Sequence, residues 1–184
     1  RRVLFRSSSV NKPNEISLNG FLMAVEKKAY NMALISTGNR DEALDIVQDA
    51  MFKFATHYAD KATEQWKPLF YRIVQNLIMD WHRKQKVRRI MTFWREEDNT
   101  PEPWLASLND CPENILRKHQ KSNATLSILH ELPVKQQQCF LLRAWEGLSV
   151  KETARAMNCS EGTIKTHFSR ASAKLKQCIE AMNE

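Results

Sequence analysis

Apolar residues recur at helical spacing along most of this chain, and polar residues fill the positions between them. Residues 16–58 hold two successive stretches of this kind, and side chains three and four apart share one face of a helix. Between the stretches, Gly38 is suited to end the first helix and Asn39 to cap the second. The pattern therefore predicts an antiparallel helical hairpin.

A third apolar stripe begins at Trp66 and continues to Trp81, after a polar and irregular segment at 57–67. Its far end changes character, because residues 81–95 contain six basic side chains and no acidic one. We predict a long third helix with a concentrated positive face at its end.

The sign of the charge then reverses over residues 96–114, which hold six acidic side chains, three prolines and no Lys or Arg. Such a composition is typical of a linker. The acidic linker is either simply solvated, which is the default, or it runs through a positively charged channel of a partner.

Helical periodicity returns at Ile115, and Pro133 interrupts it at a position suited to the first turn of a new helix. That helix is predicted to end at Gly147. Ser149 and Glu152 have the S-x-x-E spacing of a capping box, which predicts a short helix after them.

The last predicted helix is capped by Ser160, after a turn at Asn158 and Cys159. Its expected buried stripe consists of Ile164, Phe168, Ala171, Leu175 and Ile179.

The two helices on either side of Asn158 have the features that a DNA-binding helix-turn-helix needs. Ala154 is small enough for the helix crossing, Asn158 tolerates left-handed geometry, and Ile164 is a branched apolar residue in the second helix. An ordinary helical hairpin is the alternative interpretation. Off the apolar stripe, the candidates for contact with bases or phosphates are Thr163, Lys165, Thr166 and Arg170.

Composition supports an all-α protein, with only four Gly and six Pro in 184 residues. A net charge of +7 favours a polyanionic partner, because Lys and Arg near phosphates release bound counterions. The four cysteines, Cys111, Cys139, Cys159 and Cys178, have no CxxC spacing, so we expect buried thiols and no metal site. No catalytic motif is present, and we predict neither an enzyme nor a cofactor.

The chain from Ser17 to Lys176 resembles the extracytoplasmic-function (ECF) sigma factors of bacterial RNA polymerase. The first half matches that family at 41–43, 45–51, 66–73, 76–80 and the pair Arg83-Lys84. The second half matches it at Leu132-Pro133, Gln137, Phe140, 147–149, 152–154 and 162–165.

The resemblance implies two small helical domains joined by the acidic linker. Residues 16–95 resemble sigma region 2, which binds core polymerase and recognises and melts the −10 element. Residues 115–184 resemble region 4, whose helix-turn-helix recognises the −35 element, and residues 1–15 are expected to be a disordered or non-native extension. The implied partners are the β and β′ subunits of core polymerase and promoter DNA. An anti-sigma factor is a further candidate partner, and a cytoplasmic protein without membrane insertion is expected.

The same resemblance assigns site residues. Core binding is implied for Asp41, Glu42, Asp45, Gln48 and Asp49. Contact with the −10 element is implied for Trp66, Asn76, Asp80, Arg83, Lys84 and Arg88. Contact with the −35 element is implied for Thr163, Lys165, Thr166, His167 and Arg170.

Three features depart from the family pattern. The loop at 58–65, which in the family captures an unstacked base, is poorly matched, and His167 and Ser172 stand where Arg is usual. If His167 touches a phosphate, DNA binding should depend on pH, because imidazole titrates near neutrality.

Two other classes of protein remain as alternatives. One is a conventional helix-turn-helix regulator with a helical sensory or dimerising domain, and the other is an adaptor whose basic block binds RNA or an acidic protein.

Overall fold

The computed structural model of the protein describes residues 17–93 and 127–181. Predictions made for residues 1–15 and for the acidic linker 96–114 lie outside this part of the chain. The helices are α1 (Leu18–Thr37), α2 (Arg40–His57), α3 (Thr63–Phe93), α4 (Val134–Phe140), α5 (Val150–Met157) and α6 (Glu161–Ala181). A further helical stretch covers 127–131, and a π-helical turn over Leu141–Trp145 follows α4. All regular secondary structure in the described residues is therefore helical, as predicted.

The hairpin of α1 and α2 is formed as the sequence predicts. Gly38 takes the left-handed conformation at φ 68°, and its N–H donates to the carbonyl oxygen of Leu34. The Asn39 side chain accepts hydrogen bonds from the backbone N–H groups of Asp41 and Glu42 at 2.9 and 3.1 Å. A glycine stop and an asparagine cap thus turn the chain within two residues.

Helix α3 begins at Thr63, earlier than the irregular segment predicted at 57–67 allows. Pro68 lies inside the helix and is buried. The cost is one backbone hydrogen bond near the start of the helix, since proline has no N–H to donate. The buried side chains that follow, Phe70, Val74 and Ile78, hold α3 against the hairpin.

The helix-turn-helix is formed by α5 and α6. Ser149 and Glu152 make the predicted capping box, and Asn158 has φ 50° and ψ 51° at the turn. The N–H of Thr163 donates to Ser160 Oγ at 3.1 Å, which caps α6. These three local predictions are confirmed.

The buried stripe of α6 is shorter than predicted. Ile164, Ala171 and Leu175 are buried, but Ile179 is 42 % exposed, so its predicted burial is wrong. With 21 residues, α6 is much longer than α4 and α5, on which it packs, and its last turns run past them.

The two halves of the described chain pack on each other. Helix α5 lies against α3, and α4 lies against α1. Buried apolar side chains from both halves, such as Val74 and Leu142, belong to one continuous core. The sequence did not predict this arrangement.

None of the helices within 18–93 and 127–181 combines the length and the apolar character needed to cross a membrane.

Candidate nucleic-acid interface

Helix α6 presents a polar edge to solvent. Lys165, Thr166, Ser169 and Arg170 are exposed, whereas Ile164 on the opposite side is fully buried. Thr163 is half-buried, and its hydroxyl lies 2.8 Å from that of Ser160, within the helix cap. Lys165, Thr166 and Arg170 are thus placed where a groove of DNA would meet the helix, while Thr163 has a capping role in this conformation.

Contacts beneath α6 fix its orientation. The Cys139 thiol donates to the carbonyl oxygen of Ile164 at 3.4 Å, and burial raises the pKa of this thiol to about 11. Phe168 stacks on Phe140 with ring centroids 5.8 Å apart, and the Arg143 guanidinium lies 5.6 Å from the Phe168 centroid. These contacts, at two positions one turn apart, hold α6 on α4 and on the π-helical turn that follows it.

His167 lies on the same helix beside two cations. Its Nδ1 is buried and has no hydrogen-bond partner within the described part of the chain. Burial lowers the pKa of the imidazole, and the positive charges of Lys135 and Arg170 lower it further. Three basic side chains from α4 and α6 therefore form an anion-attracting cluster, which suits a phosphate. The sequence pointed to His167 and Arg170 but gave no signal for Lys135.

Five of the six residues predicted to contact the −10 element share one face of α3. These exposed residues are Asn76, Asp80, Arg83, Lys84 and Arg88. Asn76, Asp80, Lys84 and Arg88 follow one another at intervals of four residues, and Arg83 comes three residues after Asp80. All five therefore lie along one side of the helix. Asp80 accepts a hydrogen bond from Arg83 at 2.8 Å, which orients that guanidinium.

Trp66 does not belong to this exposed face. It is only 6 % exposed, and its Nε1 donates to the carbonyl oxygen of Lys61 at 2.7 Å. Its ring packs against Phe21 and Phe54 at centroid distances of 5.4 and 6.1 Å. The prediction that Trp66 contacts DNA does not fit this burial, because no face of the indole is available to a base.

Helix α2 carries a separate acidic surface. Asp41, Asp45, Gln48 and Asp49 are exposed, and Glu42 is half-buried. Sequence reasoning missed two apolar members of the same surface: Leu44 is 46 % exposed and Phe52 is 73 % exposed. Leu44, Gln48 and Phe52 are four residues apart and so lie in one row. Their positions off the buried stripe of α2 were the available signal.

Comparisons with known proteins agree with this division into two parts. A family model for sigma-70 region 2 matches residues 21–89, and one for sigma-70 region 4 matches residues 122–175.

Curated relatives cover most of the chain. It is 31 % identical over 143 residues to RNA polymerase sigma factor SigV of Bacillus subtilis, across 77 % of this chain and 78 % of that protein. It is 24 % identical over 160 residues to the ECF sigma factor SigX of the same organism, across 84 % and 79 % of the two chains.

Two solved structures share the fold. One is sigma factor RpoE in complex with anti-sigma factor NepR from Bartonella quintana, with TM-score 0.63, 21 % identity and coverage of 90 % of this chain and 98 % of that one. The other is CnrH in complex with the cytosolic domain of CnrY, with TM-score 0.57, 17 % identity and coverage of 91 % and 90 %.

Proposed function

Because this chain belongs to the sigma-70 family, as an ECF-type RNA polymerase sigma factor, we propose that its described surfaces divide the work of promoter recognition. The family's function is to bind core polymerase and direct it to promoters, without enzymatic activity of its own. The proposal assigns individual residues of this chain to the individual steps.

The helix-turn-helix domain, within 115–184, is proposed to recognise the −35 element. The observation that carries this assignment is the exposed edge of α6, with Lys165, Thr166 and Arg170 on one side and the buried Ile164 on the other. A helix held in this way can lie in a major groove while its cations reach guanine edges or phosphates. Lys135 adds positive charge for phosphate contact, and the His167 imidazole lies beside it as a further group whose protonated form would bind a phosphate.

The exposed line on α3 is proposed to contact the −10 element, within a first domain spanning 16–95. Lys84, Arg83 and Arg88 supply positive charge for an opened strand, and Asn76 and Asp80 supply hydrogen-bonding groups. Trp66 is left out of this set, and we assign it to the core of the domain.

The mixed acidic and apolar surface of α2 is proposed to bind core polymerase. An exposed aromatic ring such as Phe52, surrounded by polar side chains, is typical of the centre of a protein interface. Asp45 and Gln48 lie beside it and supply the polar contacts.

Two further proposals concern a partner of the chain and its location in the cell. The related RpoE and CnrH structures are complexes with NepR and with CnrY, which supports an anti-sigma factor as a further partner of this chain. A cytoplasmic location is proposed because core polymerase works there.

Reconstitution tests the proposal directly. The purified chain is mixed with bacterial core polymerase, and transcription is measured on a genomic fragment library. Initiation at discrete sites supports the assignments, and sequencing the transcripts gives the promoter. Failure to co-purify with core and to initiate would overturn the proposed function.

The DNA-binding residues are tested in the same assay. Lys165→Ala and Arg170→Ala should reduce initiation while core binding is kept, since both side chains lie on α6. Lys174→Ala, an exposed lysine farther along α6, is the matched control.

A further inference from the structure

The last turns of α3 carry exposed apolar side chains as well as cations. Val87 is 56 % exposed, Ile90 is 53 % exposed and Met91 is 67 % exposed. Of the eight large apolar side chains that are exposed in residues 17–93 and 127–181, these three fall within a span of five residues. An exposed apolar patch rimmed by charged groups is typical of a binding surface.

The described core of the protein does not use this end of α3. Ile78 is the last buried residue of the helix in the described part of the chain. Trp81, His82 and Gln85 are half-buried, and the described side chains between 86 and 91 are all exposed. An α-helix is about 10–12 Å in diameter, and the major groove of DNA is about 12 Å wide. The last turns of α3 are therefore placed where they can enter a groove.

Two of the apolar side chains lie on the side of α3 that is proposed to contact the −10 element. Val87 comes four residues after Arg83 and three after Lys84. Met91 comes four residues after Val87 and three after Arg88. Residues three and four apart are neighbours on a helix surface. Val87 and Met91 are thus adjacent to three cations and to each other.

The charges around the patch restrict the partner that fits it. Arg83, Lys84, Lys86 and Arg88 are exposed, and no acidic residue occurs between 83 and 91. A partner must therefore be a polyanion that also offers apolar groups. DNA has phosphates along its backbone, and the one apolar group on its base edges is the C5-methyl group of thymine. Val and Met lack the flat π-face on which bases stack, so contact with this methyl suits them better than stacking.

We propose that Val87 and Met91 select thymine within the −10 element by packing on its C5-methyl group, while the neighbouring cations hold the phosphates. This rests on the proposed function, which assigns the exposed line of α3 to the −10 element, and it adds which base is recognised and by which group. Thymine carries its methyl whether it is paired or unpaired, so the contact can form on the duplex and persist when the strands open. Removing one methyl group from such a contact lowers a binding constant by about 3- to 5-fold.

Replacing thymine by uracil tests this in the holoenzyme of the full chain with core polymerase. The promoter is first identified by sequencing the transcripts made from a genomic fragment library. Each thymine of its −10 element is then replaced by uracil, which keeps the base pair and lacks only the methyl group. The rate of initiation is measured on each template. For wild type we expect uracil to lower this rate by about 3- to 5-fold at one position or more.

The variants replace apolar atoms by polar ones at nearly constant shape. Val87→Thr keeps the branched side chain, and Met91→Gln keeps the length of the side chain. The protein with both substitutions should initiate at the same rate on thymine and uracil templates, within about 1.5-fold, because no apolar surface is left to contact the methyl. Each single variant then assigns a side chain to a position in the promoter. Circular dichroism checks that every variant keeps its helices.

Matched controls carry the same substitutions at exposed apolar side chains on other helices. Met23→Gln changes a methionine of α1 that is 68 % exposed, and Ile179→Thr changes a branched residue of α6 that is 42 % exposed. Both controls should keep the wild-type ratio between thymine and uracil templates. Any effect of uracil on the stability of the duplex is the same for every protein, so only a change in this ratio reports the contact.

Three outcomes would overturn the inference while the proposed function stands. The first is a −10 element without thymine, and the second is a wild-type protein that initiates equally on thymine and uracil templates. The third is a double variant that keeps the wild-type ratio. If that variant also initiates more slowly on both templates, the patch packs on protein or on bases without reading the methyl.

Failure of the proposed function gives a different result. If neither wild type nor any variant initiates with core polymerase, the proposed function fails, and the selection of thymine fails with it.

Discussion

At the scale of single residues, His167 is the side chain that we expect to make DNA binding depend on pH. The imidazole is half-buried between Lys135 and Arg170, and burial together with these charges lowers its pKa below 6.5. The lowered pKa favours the neutral imidazole in the free protein. A phosphate placed beside it would favour the protonated form and raise the pKa again.

This predicts a DNA affinity that depends on pH. The added affinity is fully present below the pKa of the free protein and is lost as pH rises through the higher pKa of the complex. We expect affinity for a mixed-sequence duplex to rise as pH falls from about 7.5 to about 5.5 at fixed salt. Fluorescence anisotropy across this range measures the effect.

His167→Gln is the control for the other histidines of the chain and should show a much flatter profile. The His167→Arg protein should bind DNA more tightly than wild type at pH 7.5, and its affinity should also change little with pH. Its affinity should fall more steeply with salt concentration, by about one additional released counterion. A wild-type profile as flat as that of His167→Gln would contradict the role of His167.

Trp66 shows the limit of a family resemblance at this scale. The resemblance implies contact with the −10 element for this aromatic residue, but the same ring also suits a core. The neighbouring rings of Phe21 and Phe54 are distant in sequence, and only folding brings them to Trp66. Sequence therefore identified the residue but not its environment.

The buried position of Trp66 predicts an effect on stability. Trp66→Ala should lower the free energy of unfolding by about 3–5 kcal/mol, because a large side chain leaves a cavity in the core. Urea denaturation followed by circular dichroism measures this. Trp145→Ala is the matched control, since that ring is 42 % exposed, and its effect should be much smaller.

Trp66→Phe separates packing from DNA contact. We expect it to remain folded at moderate cost and to keep its affinity for DNA. A folded Trp66→Phe protein that loses DNA binding would restore Trp66 to the −10 contact set.

At the scale of elements, local rules account for most of what the sequence predicted correctly. Gly38, Asn39, Ser149 and Asn158 act on backbone groups within four residues, so their effect depends little on the rest of the fold. The exposure of Ile179 depends on how far α4 and α5 extend beneath α6, which periodicity does not reveal. The sequence also did not predict the early start of α3, because the polar residues at 63–65 resemble a loop.

The capping box at the start of α5 contributes measurably to the free energy of unfolding. The Ser149 hydroxyl and backbone hold the pKa of Glu152 below its usual value of 4.5. We expect Ser149→Ala to lower stability by about 0.5–2 kcal/mol at neutral pH, as loss of an N-cap does. Thermal denaturation followed by circular dichroism tests this.

The pH dependence of the same cap has a definite sign. Because the pKa of Glu152 is lower in the folded state, its share of the stability is present above about pH 4.5 and is lost as pH falls through the folded-state pKa. The difference between wild type and Ser149→Ala should shrink under acid. Ser169→Ala, in the middle of α6, should not destabilise the helix, and a loss equal to that of Ser149→Ala would argue against the cap.

At the scale of the whole molecule, the three surfaces proposed to bind core polymerase, the −10 element and the −35 element lie on α2, α3 and α6. The family resemblance implied residues for all three. The sequence did not predict the contact between the two halves, in which Gln75 donates to Gln138 at 2.6 Å and Glu146 lies 3.6 Å from Lys28. Gln and Glu are residue types usually found in solvent. Polar side chains that bury one another across domains have no periodic signature.

The separation of the surfaces predicts separable defects. Asp45→Ala and Gln48→Ala should weaken core binding, and Phe52→Ser should do so by about 10-fold or more, as loss of a central aromatic does. Competition for labelled core polymerase measures this. Affinity for DNA should be unchanged in all three variants.

Glu26→Ala is the matched control, because Glu26 is an exposed acid on α1 outside this surface. If it weakened core binding as much as Asp45→Ala, general negative charge rather than the α2 surface would be responsible.

The continuous core shared by the two domains also has a consequence for folding cooperativity. Apolar side chains of α3 and of the segment after α4 are buried against one another, so neither domain can unfold without exposing part of the other. Heat denaturation of the free chain should therefore give one transition with equal calorimetric and van't Hoff enthalpies.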